Sequence, residues 1–113
     1  MANSFKNKKV DLTTADLTTL YTVPTATTTV VKSLLVANDS GSGCNIDITL
    51  VDASGNIFTL FKTKTIATVT TTELLTQPLV MEESEILKVQ ASDANELHVI
   101  ASILEIQPRE VVS

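Results

Sequence analysis

Few side chains in this chain of 113 residues are suited to covalent or acid–base chemistry. His98 is the single histidine, so a Ser-His-Asp relay would have to be built around that one residue. It lies midway along a segment of strand-like pattern, where a structural imidazole is the expected role. Cys44 is the single cysteine, which excludes an intrachain disulfide and leaves too few Cys and His ligands for a structural zinc site. No basic residue adjoins it in sequence to lower its thiol pKa, so it reads as a small buried hydrophobe. The acid pairs Asp39 with Asp47 and Asp93 with Glu96 have carboxylates suited to calcium, but neither has the spacing of a calcium-binding loop. They read as turn acids. Ser40-Gly41-Ser42-Gly43 lacks the Lys-Ser/Thr and the following helix pattern of a phosphate loop. Asn38-Asp39-Ser40 fits a glycosylation sequon, yet the first ten residues have no apolar leader. With one Tyr, three Phe and no Trp, aromatic residues are too scarce for a sugar-stacking platform. The expectation is a non-enzymatic chain with no catalytic residue, metal or cofactor.

The balance of charge narrows the partners. Eight basic against thirteen acidic residues give a net charge of −5 and a pI near 4.6. That disfavours nucleic acid and anionic membrane, which both need a basic footprint, and no run is long enough to span a bilayer. Lys6, Lys8 and Lys9 cluster early, whereas Glu82, Glu83, Glu85, Glu96, Glu105 and Glu110 fall late. Such an arrangement suits attraction between a basic N-terminal arm and the acidic body of a neighbouring subunit, as well as plain solvation.

Positioning any of these residues falls to strands. Val, Ile and Thr dominate, and their branching at Cβ stiffens χ1 and suits a pleated surface. Strand signals cover an arm from Phe5 to Leu12, residues 17–23 up to Pro24, and TTVVKSLLVA at 28–37, apolar on both faces except at Lys32 and Ser33. Residues 45–51 alternate, with Ile46, Ile48 and Leu50 on one face, and a turn at 52–56 returns the chain along 57–62. A Thr-rich stretch, 63–75, reads as an edge strand with a bend, followed by 79–81. Residues 86–91 place Leu87, Val89 and Ala91 inward, and a turn at 92–95 leads to 97–106. That last strand carries Leu97, Val99, Ala101 and Ile103 on one face and Ile100, Leu104 and Ile106 on the other, so it is either central or presents one face to a partner. About eight short strands cannot bury their apolar faces in one flat sheet. The fold class expected is all-β, a two-sheet antiparallel β-sandwich of jelly-roll or Greek-key type. Its parts are an extended N-terminal arm at 1–12, the sandwich at 13–107 and a C-terminal tail at 108–113.

The run LYTVPTATTTVVKSLLVANDS, the alternating strand and DASGN turn after it, and the ending QPLVMEESEILKVQASDANELHVIASILEI together resemble small β-sandwich virion structural proteins of tailed bacteriophages. The resemblance spans about residues 17–106 and rests on framework residues. Where that ending often has Gly-Asp, this chain has Glu83-Ser84-Glu85, so a different turn is expected there. The resemblance implies a subunit in many copies on a virion, made in the bacterial host cytoplasm. A capsid decoration or cement protein comes first, and a neck, tail or fibre accessory protein, with receptor or glycan binding as one form of it, second. It implies a homo-oligomer, a trimer by preference, in contact with the major capsid protein or other virion proteins. The assembly contacts expected are Phe5, Lys6, Lys8, Lys9 and Val10 of the arm and Val99, Ile100, Leu104 and Ile106 of the last strand, with arm and tail adding to neighbouring sheet edges.

Overall fold

A computed structural model describes residues 2–107; the tail at 108–113 lies outside the described residues. The regular structure described is all strand: β1 (Ala2–Asp11), β2 (Thr18–Thr22), β3 (Thr28–Asn38), β4 (Cys44–Val51), β5 (Ile57–Ile66), β6 (Thr70–Glu73), β7 (Leu79–Met81), β8 (Ile86–Ala91) and β9 (Leu97–Gln107). The pairing is nested. The β4–β5 hairpin lies innermost, β3 pairs with β6 and β7, β2 with β8, and β1 with β9, all antiparallel. Coiling this long double strand brings β3 beside β9 and β4 beside β8. The outcome is a jelly roll of two sheets. Sheet A has the order β1-β9-β3, with β6 and β7 sharing the far edge of β3, and sheet B has the order β2-β8-β4-β5.

Alternation decides which side chains fill the space between the sheets. Leu97, Val99, Ala101 and Ile103 of β9 and Val31, Leu34 and Val36 of β3 meet Ile46 and Ile48 of β4 and Leu87, Val89 and Ala91 of β8, all buried. Each fully buried Val, Leu or Ile contributes about 1.5–3 kcal/mol. Between Val31 and Ser33 the register of β3 shifts, which leaves Lys32 as an exposed bulge. Opposite that bulge the far edge strand is broken between Glu73 and Leu79, where the sequence also separates 63–75 from 79–81, and the described strands number nine against the expected eight or so. The Glu73 carboxylate bridges the break: it accepts hydrogen bonds from the Ser33 hydroxyl and from the N–H groups of Leu34 (2.7 Å) and Leu75 (3.1 Å). Burial alone would raise its pKa, but these three donors outweigh that and hold it below the usual carboxylate range.

Two expectations change. The segment read as an arm pairs with β9 of its own chain along its described length, from Ala2 opposite Gln107 to Asp11 opposite His98. It does so because the edge of β9 would otherwise leave its main-chain donors and acceptors without a ladder. The stretch at 63–75 divides between the end of β5, a turn and β6, with Thr63 and Val69 at φ of 53° and 52°. These are unusual conformations for β-branched residues, and at Thr63 the Asp47 carboxylate holds the N–H at 2.6 Å. At the Glu83-Ser84-Glu85 departure the turn closes with Ser84 at φ 69°, and Glu85 both donates to the Glu82 carbonyl and accepts from the Glu82 N–H.

Candidate assembly surface

The outward side of sheet A follows from its register. Phe5 pairs with Leu104, Leu104 with Val30 and Val30 with Val80, so one row of apolar side chains crosses β1, β9, β3 and β7. Its two ends are open, Phe5 being 74% and Val80 58% exposed. Two rows along, Lys9, Ile100, Leu35 and Glu73 stand side by side, with Ile100 39% exposed. Ile106, half-buried, lies opposite Thr28 and Asn3 beyond the other side of the apolar row. The Lys32 ammonium lies 5.7 Å from the Phe5 ring centre, a distance at which a cation is attracted to the ring face.

Sheet B differs. Its outward positions carry Thr19 and Thr22 on β2, Lys88 and Gln90 on β8, Asn45, Asp47 and Thr49 on β4, and Thr59 on β5. Its apolar residues are Val51, paired with Ile57 and Ile86 at one end, and the half-exposed Leu17 ahead of β2 towards the other. Phe58, opposite Leu50, and Leu60 are also exposed on the edge strand β5, whose register with β4 shifts twice. Bulges of this kind keep an apolar edge from pairing along its length.

The nine expected contact residues separate into three groups. Phe5, Lys9, Ile100, Leu104 and Ile106 share the outward face of sheet A. Val99 points the other way and is 0% exposed, so it is a core residue out of reach of any partner. Lys6, Lys8 and Val10 take the inward positions of β1, opposite Ile103, Ala101 and Val99. Val10 packs on the core rim. Lys6 bonds the Glu105 carboxylate at 2.8 Å, and Lys8 lies 5.9 Å from the Tyr21 ring centre. Sequence reasoning missed Val30, Leu35 and Val80. The two-sided apolar pattern of 28–37 carried a signal for the first two, whereas Val80 stands in too short a segment to show a face.

Glu105 anchors a polar group at the rim of the core. Tyr21 donates to its second oxygen at 2.5 Å, and the same hydroxyl lies 2.7 Å from that of the buried Thr29. Burial would raise the Glu105 pKa, yet the hydrogen bonds from Lys6 and Tyr21 and the charges of Lys6 and Lys8 hold it below the ordinary range. Burial first, and then the Glu105 carboxylate, push the Tyr21 phenol well above its usual value.

The residues suited to chemistry are otherwise engaged. His98 Nδ1 is 3.2 Å from Asp11 and its Nε2 3.4 Å from Asp39, so it ties the end of β1 to the β3–β4 loop. Asp39 turns to His98 and Asp47 to Thr63, so that acid pair is not brought together. Cys44 is buried with the Ser92 hydroxyl 3.4 Å away, and its sulfur lies within 4.8 Å of carboxylate oxygens of Asp93 and Glu96. One Glu96 oxygen accepts from Ser40 at 3.1 Å, and the other has no partner among the described residues. Asn38 of the sequon is buried, its amide donating to the carbonyls of Ser42 and Ile66.

No family model matches this sequence, and no curated protein matches it. Solved structures do. A chain of the infectious bursal disease virus particle is 13% identical with a TM-score of 0.56 over 91% of this chain and 30% of its own length. A mutant VP2 protein of the same virus, in derived particles, is 12% identical with a TM-score of 0.51 over 91% of this chain and 31% of its own. This chain thus spans about a third of those virus chains. At such identity what is shared is the fold, and this agrees with the jelly-roll winding. A pentameric capsid protein from metagenomic phage sequences, 18% identical, covers 88% of this chain and 58% of its own length at a TM-score of 0.44, which does not establish a common fold.

Proposed function

We propose that this chain is a non-enzymatic structural protein of a virion, most simply a decoration or cement protein that stabilises the head of a tailed phage through contacts between subunits. The observation that carries the reading is the outward face of sheet A. A sandwich is stable with only its inner faces apolar, so a transverse row of Phe5, Leu104, Val30 and Val80 is surplus to folding and is the kind of patch that marks a partner site. The jelly-roll fold shared with virus-particle chains supports the same reading, as does the absorption of His98 and Glu105 into structural pairs. The partners proposed are further copies of the chain, as a trimer in the simplest arrangement, and a shell protein beneath them.

Immunogold labelling of purified virions with an antibody against this chain tests the proposal. Label on heads is the expected result. Label confined to necks, tails or fibres would move the protein to an accessory role there, and unlabelled particles would overturn the virion reading.

A further inference from the structure

We propose that copies of this chain join side by side, the β1 edge of one against the β6–β7 edge of the next, so that sheet A continues from subunit to subunit; this rests on the self-association in the reading above and not on the virion location. Strand polarity permits it. Every neighbouring pair in sheet A is antiparallel, so β1 runs one way and β6 and β7, three strands across, run the other. A second copy in the same orientation therefore presents its β1 antiparallel to β6 and β7 of the first.

In the two rows that run from edge to edge, the side chains at the ends match. The apolar row ends in Phe5 on one edge and Val80 on the other, and the row of Ile100 ends in Lys9 on one edge and Glu73 on the other. One docking movement brings Phe5 to Val80 and Lys9 to Glu73. The charges also select against the alternative pairings. β1 carries Lys6, Lys8 and Lys9, so pairing β1 with β1 across a two-fold axis sets lysines against lysines. The opposite edge carries Glu73, with Glu82 and Glu83 in the turn after β7, so pairing that edge with itself sets acids together. Like charges directly opposite on paired strands are destabilising, and only the unlike edges attract. A contact between unlike edges repeats from copy to copy and makes a ring where the rotation closes.

Cross-linking tests this in a Cys44→Ala background. Phe5→Cys and Val80→Cys both replace exposed side chains, so the fold is retained. Within one chain the two sites are three strands apart, about 14 Å, beyond the roughly 7 Å that a disulfide can bridge. Under mild oxidation each single variant is expected to stay monomeric on a non-reducing gel and an equimolar mixture to give covalent dimers. The double variant is expected to give a ladder whose last band counts the subunits in the ring. Adding Lys9→Glu should lower the cross-linked yield about 5-fold, the worth of an exposed ion pair at its upper end. Dimers from Phe5→Cys alone would place β1 on β1 and overturn the proposal. So would a double variant that stays monomeric at the highest soluble concentration. Loss of the virion role alone would leave the ladder intact.

Discussion

The outward faces of the two sheets are built from the same kind of strand in the same chain, yet they obey different rules. On sheet B, β4 and β8 alternate apolar in and polar out, the pattern of a sheet with one face in water. On sheet A, β9 and β3 are apolar on both sides although sheet B covers only one. Folding explains the inner sides of both sheets and the polar outward positions of β4 and β8. The outer side of sheet A needs a second cause, and assembly is the one proposed.

Substitutions sharpen the contrast by changing faces. Val99→Lys and Ile100→Lys alter adjacent residues of β9 that point in opposite directions. The first forces an ammonium into the core and is expected to cost more than about 4 kcal/mol, leaving no cooperative thermal transition. If it melts near the parent temperature, the inner face is not the core described.

The edge where the two sides of β1 meet comes next. Removing the Lys6 charge with Lys6→Met leaves Glu105 short of a partner and is expected to cost about 1–2 kcal/mol in chemical denaturation, reduced because Lys6 itself is half exposed. Because the folded protein holds Glu105 below its unfolded value, its contribution is full above the unfolded pKa of about 4.3 and is lost as pH falls through the folded one. Glu105→Gln should therefore be less stable than the parent at pH 7 and should converge towards it in acid. A constant gap at every pH would show that the carboxylate charge is not what holds β1 here.

Ile100→Lys is expected to change stability by less than about 1 kcal/mol while shifting light scattering towards the monomer. Equal unfolding by this variant and Val99→Lys would make the outer face ordinary core and end the comparison. The smallest effect belongs to sheet B: Thr59→Lys should stay within about 0.5 kcal/mol of the parent and leave the oligomer unchanged.

Alternation made much of this legible in advance. The strands β3, β4, β7, β8 and β9 fall where their Val, Ile and Leu spacing puts them, and the inward faces of β4, β8 and β9 agree residue by residue. What alternation does not encode is partnership. Nothing in SFKNKKV says that Lys6 meets an acid ninety-nine positions later in its own chain rather than in a neighbour, because register between the ends of the chain is fixed by the coiling of the whole double strand. The division of 63–75 between β5 and β6 was hidden for a related reason. It depends on Asp47 of another strand holding the Thr63 N–H and on the turn at Val69, and a Thr-rich stretch gives no periodic sign of either. The outward face was half visible, since β3 and β9 read as apolar on both sides, but its continuation to Phe5 and Val80 needed the register.

The nested winding also orders events in time. β9 follows every other described strand in the chain, yet it sits between β1 and β3 and supplies Leu104 and Ile100 to the outward rows. A ribosome that stalls before β9 releases a chain with neither the middle of sheet A nor a continuous row across it. Incomplete chains thus lack the surface on which the proposed assembly rests, and under that proposal the order of synthesis keeps them out of it.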